Sequence, residues 1–472
     1  MASAREDAPI VTAVQMPDPA LLLMRWPTVA GWSIGTIGPV TLLYVVNYAF
    51  MFFMTDLLRV SAALAGTLIF AVRAYDVFVD PLVGVLSDRT ESRMGRRRPW
   101  MLTGAFVSAA GCVALFTVPD RIVAAGSAPI GAWSLCSLLL YFTGYSLFNV
   151  PYMAMPAEMT DSYDERTRLM GARVFFVAVA GLLGVSVAPL LVQHFGKGRL
   201  AYSITAALMA AVSLVAMLAC VAGTAQAKTT PRSHTRLPIA AQLRLALGNK
   251  PFARLILAKL LLLLSMSAST TSLFYFVTHI LHKELNIVSE IGLVQTAGML
   301  CSLPFWVRAA RRWAKHRVFA AACAANAVVF LSWMLAGATE PSALLLLRAF
   351  LIGWTAGGAL LMGQALLPDT MEYDYRRSGL RREGAFSGAY SMVEKAGFAF
   401  GPLLVGMLLS GAGYDGSAAP GHASAGTSLA VYMGVSIIPA AATALSVLVL
   451  LGYDLTEQAL KNMVTAEPTA EL

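Results

Sequence analysis

The sequence predicts an all-α membrane protein, with twelve transmembrane helices arranged as two six-helix halves. Three observations carry this reading. The chain is 57% hydrophobic and only 13% charged over 472 residues, whereas soluble globular chains carry roughly 25% charged residues. Apolar runs of roughly 17–25 residues, the length that crosses a bilayer as a helix, recur almost from end to end. Lys and Arg are distributed asymmetrically among the segments that join those runs.

The runs fall at 28–54, 62–87, 99–119, 131–157, 169–193, 200–224, 252–280, 288–307, 318–338, 342–367, 384–411 and 427–452. Residues 1–27 form a polar, Pro-containing tail without the short apolar core and cleavage site of a signal peptide. The first run is therefore expected to act as the insertion signal. With that tail inside, loops on its side hold 24 Lys and Arg and the opposite loops 5, a strong positive-inside bias. Both termini are then expected in the cytoplasm, and the setting is expected to be a bacterial inner membrane. The net charge of +9 orients the chain in its lipid bilayer, and no nucleic-acid partner is needed to explain it.

The longest polar interruption, 225–251, contains Pro231 and Pro238. It divides a bundle at 28–224 from a second at 252–453, and residues 454–472 form a short cytoplasmic tail. Basic turns follow the second run (Arg89 to Arg98) and the eighth (Arg308 to Arg317), a weak internal repeat. Two six-helix halves around a midplane site are the architecture of the major facilitator fold. The five cysteines lie in or beside apolar runs without metal spacing, which suggests buried, quiet thiols.

The second run carries the strongest chemical signal. Arg73, Asp76 and Asp80 stand at i, i+3 and i+7, so they project from one helix face. Charges at membrane depth are costly and usually face a cavity or a partner. Two carboxylates one turn apart can give oxygen ligands to Na⁺ or share a proton; the plainer alternative is an ion pair of Arg73 with one aspartate. No other metal is implied. The turn from Asp88 and Arg89 to Arg98, flanked by Gly84 and Gly95, reads both as a latch for one conformational state and as a basic turn that fixes topology.

On the fourth run, Tyr145, Asn149 and Tyr152 make a polar aromatic stripe, with Ser146 beside it and Pro151 able to free backbone carbonyls. Such a stripe suits an amphipathic solute such as a sugar, or else ordinary helix packing. Arg173 follows on the fifth run. In the second half, Arg382 lies in a charged loop and Lys395 about a dozen residues into the eleventh run. A lysine at that depth needs an anionic partner, and Asp76 or Asp80 would serve; a lysine snorkelling to the interface is the alternative. Trp354, Gln364 and the run Ser269-Thr270-Thr271 are further cavity candidates. The six histidines show no zinc or nucleophile arrangement, and no GxxxxGK[ST] loop is present, so neither an enzyme nor ATP-driven transport is expected.

Together, these segments resemble the glycoside–pentoside–hexuronide:cation symporters of the major facilitator superfamily. The specific parts are Asp76 and Asp80-Pro81 with the arginine-rich turn, Asn149-Val-Pro-Tyr152 with Glu158 and Asp164-Glu-Arg166, and Arg382-Glu-Gly384 followed by Lys395. The resemblance implies that Asp76, Asp80 and Ser146 serve the cation, that Lys395 couples it to the substrate, and that Tyr145 and Arg173 border the cavity. It implies Na⁺, Li⁺ or H⁺ as the monovalent cation, no other cofactor, and uptake of a sugar, glycoside or uronide.

Two positions depart from that pattern. Where galactoside carriers of this family use aspartates against the sugar, this chain has Val40 and Asn149. Val40, Tyr44 and Asn47 share a face of the first helix, so that stripe is uncharged. Arg73, Arg173 and Lys395 remain, and the expected substrate is an acidic glycoside or a solute less polar than a free sugar. A proton-coupled exporter, a carrier of a lysolipid-like solute and a non-transporting membrane sensor are the rivals. A monomer is expected.

Overall fold

The computed structural model describes residues 24–160, 163–227, 248–378, 383–414, 424–455 and 460. Twelve helices are long and apolar enough to cross a membrane. They are α1 (Trp26–Leu57), α2 (Ala62–Asp88), α3 (Arg98–Phe116), α4 (Ser127–Pro156), α5 (Arg168–His194) and α6 (Arg199–Gly223), then α7 (Lys250–Ile280), α8 (Asn286–Arg312), α9 (Lys315–Leu335), α10 (Ser342–Arg377), α11 (Phe386–Gly411) and α12 (Ala425–Leu451). Among the described residues no strand occurs. Most of the central loop lies outside the described residues, as does Arg382.

The helix ends have local causes. Ser61 accepts from the Leu64 N–H at 3.3 Å and Asn249 from the Phe252 N–H at 3.0 Å, N-caps that satisfy donors the first turn leaves open. Pro sits in the first turn of α3 and α7, where its missing N–H costs nothing. Four stretches are π-helical, among them Phe53–Leu57 at the end of α1 and Phe276–Ile280 at the end of α7.

Large apolar side chains such as Phe78, Leu200, Val215, Val328 and Leu448 remain exposed on the outside of the bundle. In a water-soluble chain that would be an unfavourable surface; against hydrocarbon it needs no cover. The polar residues turn inward, so α2 shows Phe78 outside and Asp76 inside.

In the first half α3 packs on α4 and α6, and in the second α8 packs on α10. Between the halves, α2 crosses α11, α5 meets α8, and α1 meets α7. Glycines make the first crossing close: a methyl group at Gly66 would fall 2.4 Å from the Pro402 carbonyl oxygen, and one at Gly406 2.4 Å from that of Ala62.

We call the end bearing Arg89–Arg98 and Arg308–Arg317 the basic face. Among the described residues, the side-chain hydrogen bonds and ion pairs between the halves lie at mid-depth or at the opposite face. At the latter, Thr55 meets the Tyr275 hydroxyl at 2.7 Å, the Asn286 N–H donates to Gln193 at 2.9 Å, and Lys197 pairs with Glu284 at 3.5 Å. The molecule is thus fastened shut at the opposite face.

Candidate functional site

Asp76 is fully buried at the middle of α2. Its Oδ1 accepts from the Ser146 hydroxyl of α4 at 2.7 Å, and its Oδ2 stands 2.8 Å from the Lys395 ammonium of α11. Lys395 donates to Asp80 Oδ2 as well, so one lysine from the second half bridges both carboxylates of the first. Asp80 Oδ1 is buried without a hydrogen-bond partner. An unsatisfied carboxylate oxygen at this depth is costly, and here it leaves a ligand position beside Asp76 and Ser146. Two carboxylates and a hydroxyl are hard oxygen donors of the kind that suit a small cation.

Arg73, one turn before Asp76, faces neither aspartate. Its Nη2 donates to Asn47 Oδ1 of α1 at 2.9 Å, and its guanidinium lies 4.6 Å from the centroid of the Phe142 ring. The simple Arg73–aspartate pair is therefore not what the structure forms. The aromatic ring and the amide hold the charge in place, freeing both carboxylates for Lys395.

Asn47 also lines a chamber of ≈ 150 Å³ between the halves, room for roughly five waters. Tyr44 and Tyr48 line it from α1, Thr270 and Thr271 from α7, Gln295 and Thr296 from α8, and Asn326 and Trp333 from α9. Every lining side chain among the described residues is uncharged. Asn326 gives its amide N–H to Thr355 at 2.7 Å, while its Oδ1 and the Trp333 indole N–H are buried without partners. Two residues of the chamber wall therefore each carry a buried polar atom without a partner, one an acceptor and one a donor.

A family model described as MFS/sugar transport protein matches residues 31–457. The chain belongs to this family. Its relatives include the isoprimeverose transporter of Lactiplantibacillus pentosus, 26% identical over 87% of this chain and 84% of the relative. The glucuronide carrier protein homolog of Escherichia coli (strain K12) is 25% identical over 93% and 95%. A crystal structure of a D-xylose-proton symporter superposes with a TM-score of 0.65 at 14% identity, covering 92% of this chain and 98% of that one. Within the family the chain is a glycoside–pentoside–hexuronide:cation symporter, a multi-pass membrane transporter and not an enzyme.

The symporter places the other expected site residues unevenly. Tyr44 and Asn47 line the chamber. Tyr145, Asn149 and Arg173 are half-buried outside its lining. Tyr152 corrects the sequence reading: it is fully buried, stacks on Trp32 at 4.8 Å, and shares a 2.5 Å hydrogen bond with the Thr36 hydroxyl. It fastens α4 to α1, because α1 covers the stripe one turn beyond Asn149. Trp354 packs against Phe305 and Phe350, and its carbonyl accepts from the Trp306 indole at 2.8 Å. Gln364 is exposed, and neither residue lines the chamber.

The arginine-rich turn forms a compact network inside the first half. Arg97 pairs with Asp88, donates to Ser87 at 2.6 Å, and meets Glu158 of the segment after α4 at 2.8 Å; Arg96 reaches Glu158 at 2.9 Å. Arg89 is exposed. In this conformation the turn ties α2, α3 and α4 together, and these contacts stay within the first half among the described residues.

Sequence reasoning missed Gln295, Asn326 and Trp333. The signal available was a lone amide within an otherwise apolar run, which at membrane depth marks a cavity or a partner. It also missed Asp56, His279 and Tyr414, which meet at the opposite face, and Lys259, buried on α7 and paired with Glu394 at 3.2 Å.

Proposed function

We propose that the symporter imports a neutral, hydroxyl-rich glycoside together with one monovalent cation, Na⁺ or H⁺, bound at Asp76 and Asp80. One observation carries this reading: an uncharged chamber, whose wall includes Asn326 and Trp333 with one unpartnered polar atom each, adjoins the carboxylate pair through Asn47 and Arg73. Hydroxyl groups fill both roles, since each is donor and acceptor, and Tyr44 and Tyr48 offer ring faces to sugar C–H surfaces. The uncharged lining favours a neutral solute over the acidic glycoside that the sequence suggested. With Arg73 on Asn47 and Lys395 on two carboxylates, a uronide would meet no free cation in the chamber wall.

The mechanism follows from the charges. With the basic face in the cytoplasm, the closure at the opposite face supports an inward-facing reading. A cation that enters beside Asp80 Oδ1 competes with Lys395 for the carboxylates and loosens the bridge between the halves. The halves then rock, and the cation drives this by binding one state more tightly than the other. A bacterial cytoplasmic membrane and a monomeric carrier fit this reading.

Uptake into proteoliposomes of labelled pentosides, neutral disaccharides, uronides and a lysophospholipid, under Na⁺ or H⁺ gradients, tests it. Gradient-stimulated uptake of a neutral glycoside that Asn326→Ala weakens is expected. Preference for the uronide or the lysolipid would sink it.

A further inference from the structure

Three titratable side chains from both halves converge at the opposite face, far along α1 and α7 from the carboxylate pair. Asp56 lies in the π-helical end of α1 and His279 in the π-helical end of α7, matching positions in the two halves. The His279 Nε2 stands 3.3 Å from Asp56 Oδ1, with side-chain exposures of only 6% and 14%. Tyr414, just beyond α11, donates its hydroxyl to the same Asp56 oxygen at 2.8 Å and stands 2.9 Å from His279 Nε2. Its phenol oxygen therefore accepts from an Nε2–H while giving its own proton to the carboxylate. Single π turns inside α-helices gather at functional positions, and both helices place theirs here.

We propose that Asp56, His279 and Tyr414 form a proton-binding site, separate from Asp76 and Asp80, whose occupancy is linked to closure of the opposite-face mouth. Neutral His279 contributes one Nε2–H to this cluster. Protonated His279 adds a full charge facing a carboxylate across the interface between the halves, in a setting largely shielded from water. Opening the mouth draws α1 away from α7 and hydrates both groups, so that attraction is lost. The proton therefore binds the closed mouth more tightly than the open one. By reciprocity, proton binding favours closure by the same factor.

Among the described side chains that face this cluster, His279 is the one imidazole. Tyr275 of α7 meets Thr55, and Tyr202 of α6 is an electrostatic neighbour of Asp56. Tyr432 of α12 donates to the Ala336 carbonyl. The adjoining Glu284–Lys197 pair links the segment after α5 to the α7–α8 connection.

The test needs no substrate, so it stands or falls apart from the proposed cargo. Spin labels at Ala125→Cys and Ala338→Cys, exposed loop positions of the two halves, report the width of this mouth in the full-length carrier in nanodiscs. The exposed Cys136 and Cys301 are replaced by serine. Between about pH 5.5 and about pH 8, the range in which imidazoles titrate, the long-distance population should rise several-fold. His279→Gln, which keeps a donor but cannot charge, should remove that response, and Tyr414→Phe should retain it with smaller amplitude. A parent distribution unmoved by pH, or an unchanged pH response in His279→Gln, would overturn the proposal.

Discussion

Asn47 accepts a hydrogen bond from Arg73 at 2.9 Å while its side chain lines the chamber, so the solute compartment and the carboxylate helix share one contact. Arg73 stands one turn from Asp76, and a solute that displaces or reorients Asn47 acts on α2 directly. Asn47→Leu should weaken solute binding roughly tenfold and uncouple it from the cation, given about 1.5–3 kcal/mol for a hydrogen bond to a charged group. Solute binding measured with and without Na⁺ checks this; unchanged cation dependence would contradict it.

Lys395 joins the halves through two carboxylates at once. Lys395→Ala leaves buried Asp76 and half-buried Asp80 uncompensated, and breaking a buried pair costs roughly 3–5 kcal/mol. Melting of the purified carrier should fall, and Na⁺ or acid should restore much of the loss by occupying the same oxygens. A variant that melts lower with no rescue by either cation would speak against a cation site there.

Asp76→Asn should abolish cation-stimulated uptake, because it removes the charge of the fully buried member of the pair while keeping an acceptor for Ser146. Ser146→Ala, which leaves both carboxylates in place, should raise the cation concentration required by roughly tenfold, the equivalent of about 1.4 kcal/mol. Initial uptake rates against cation concentration distinguish the two.

Tyr152 and Tyr44 should behave oppositely. Tyr152→Phe loses a buried hydrogen bond to Thr36, lowering stability by about 1 kcal/mol with solute affinity unchanged. Tyr44→Ala should leave melting nearly intact and cut affinity. Reversed results would place the chamber on the α4 stripe instead.

Gly66→Val should arrest transport, since its side chain meets the Pro402 backbone where α2 crosses α11. Overpacking typically costs about 1–3 kcal/mol, and at this crossing the strain falls on the interface that must move. Loss of uptake with well-folded protein by size exclusion is the expected outcome.

The spans were legible because a bilayer demands length and apolarity, which composition displays directly. Asp76, Asp80 and Lys395 were legible because charge in an apolar run is too costly to be incidental. Tyr152 and Trp354 misled because an aromatic stripe looks alike whether it faces a cavity or a neighbouring helix, and only the packing of α1 over α4 decides. Asp56 and His279 stand at run ends, where polar residues are ordinary. Their meaning arises only across the interface between α1 and α7, which no local pattern encodes.

The charges around the α2–α11 contact have an electrical consequence. With both carboxylates ionised, Arg73, Asp76, Asp80 and Lys395 sum to zero in the empty carrier. Binding one monovalent cation and a neutral solute leaves an excess of one positive charge. Membrane voltage, worth about 2.3 kcal/mol per charge per 100 mV, then works on the loaded passage and leaves the empty return nearly untouched. For the importer proposed above, an inside-negative membrane would pull the laden carrier inward and let it come back for the next load without electrical resistance.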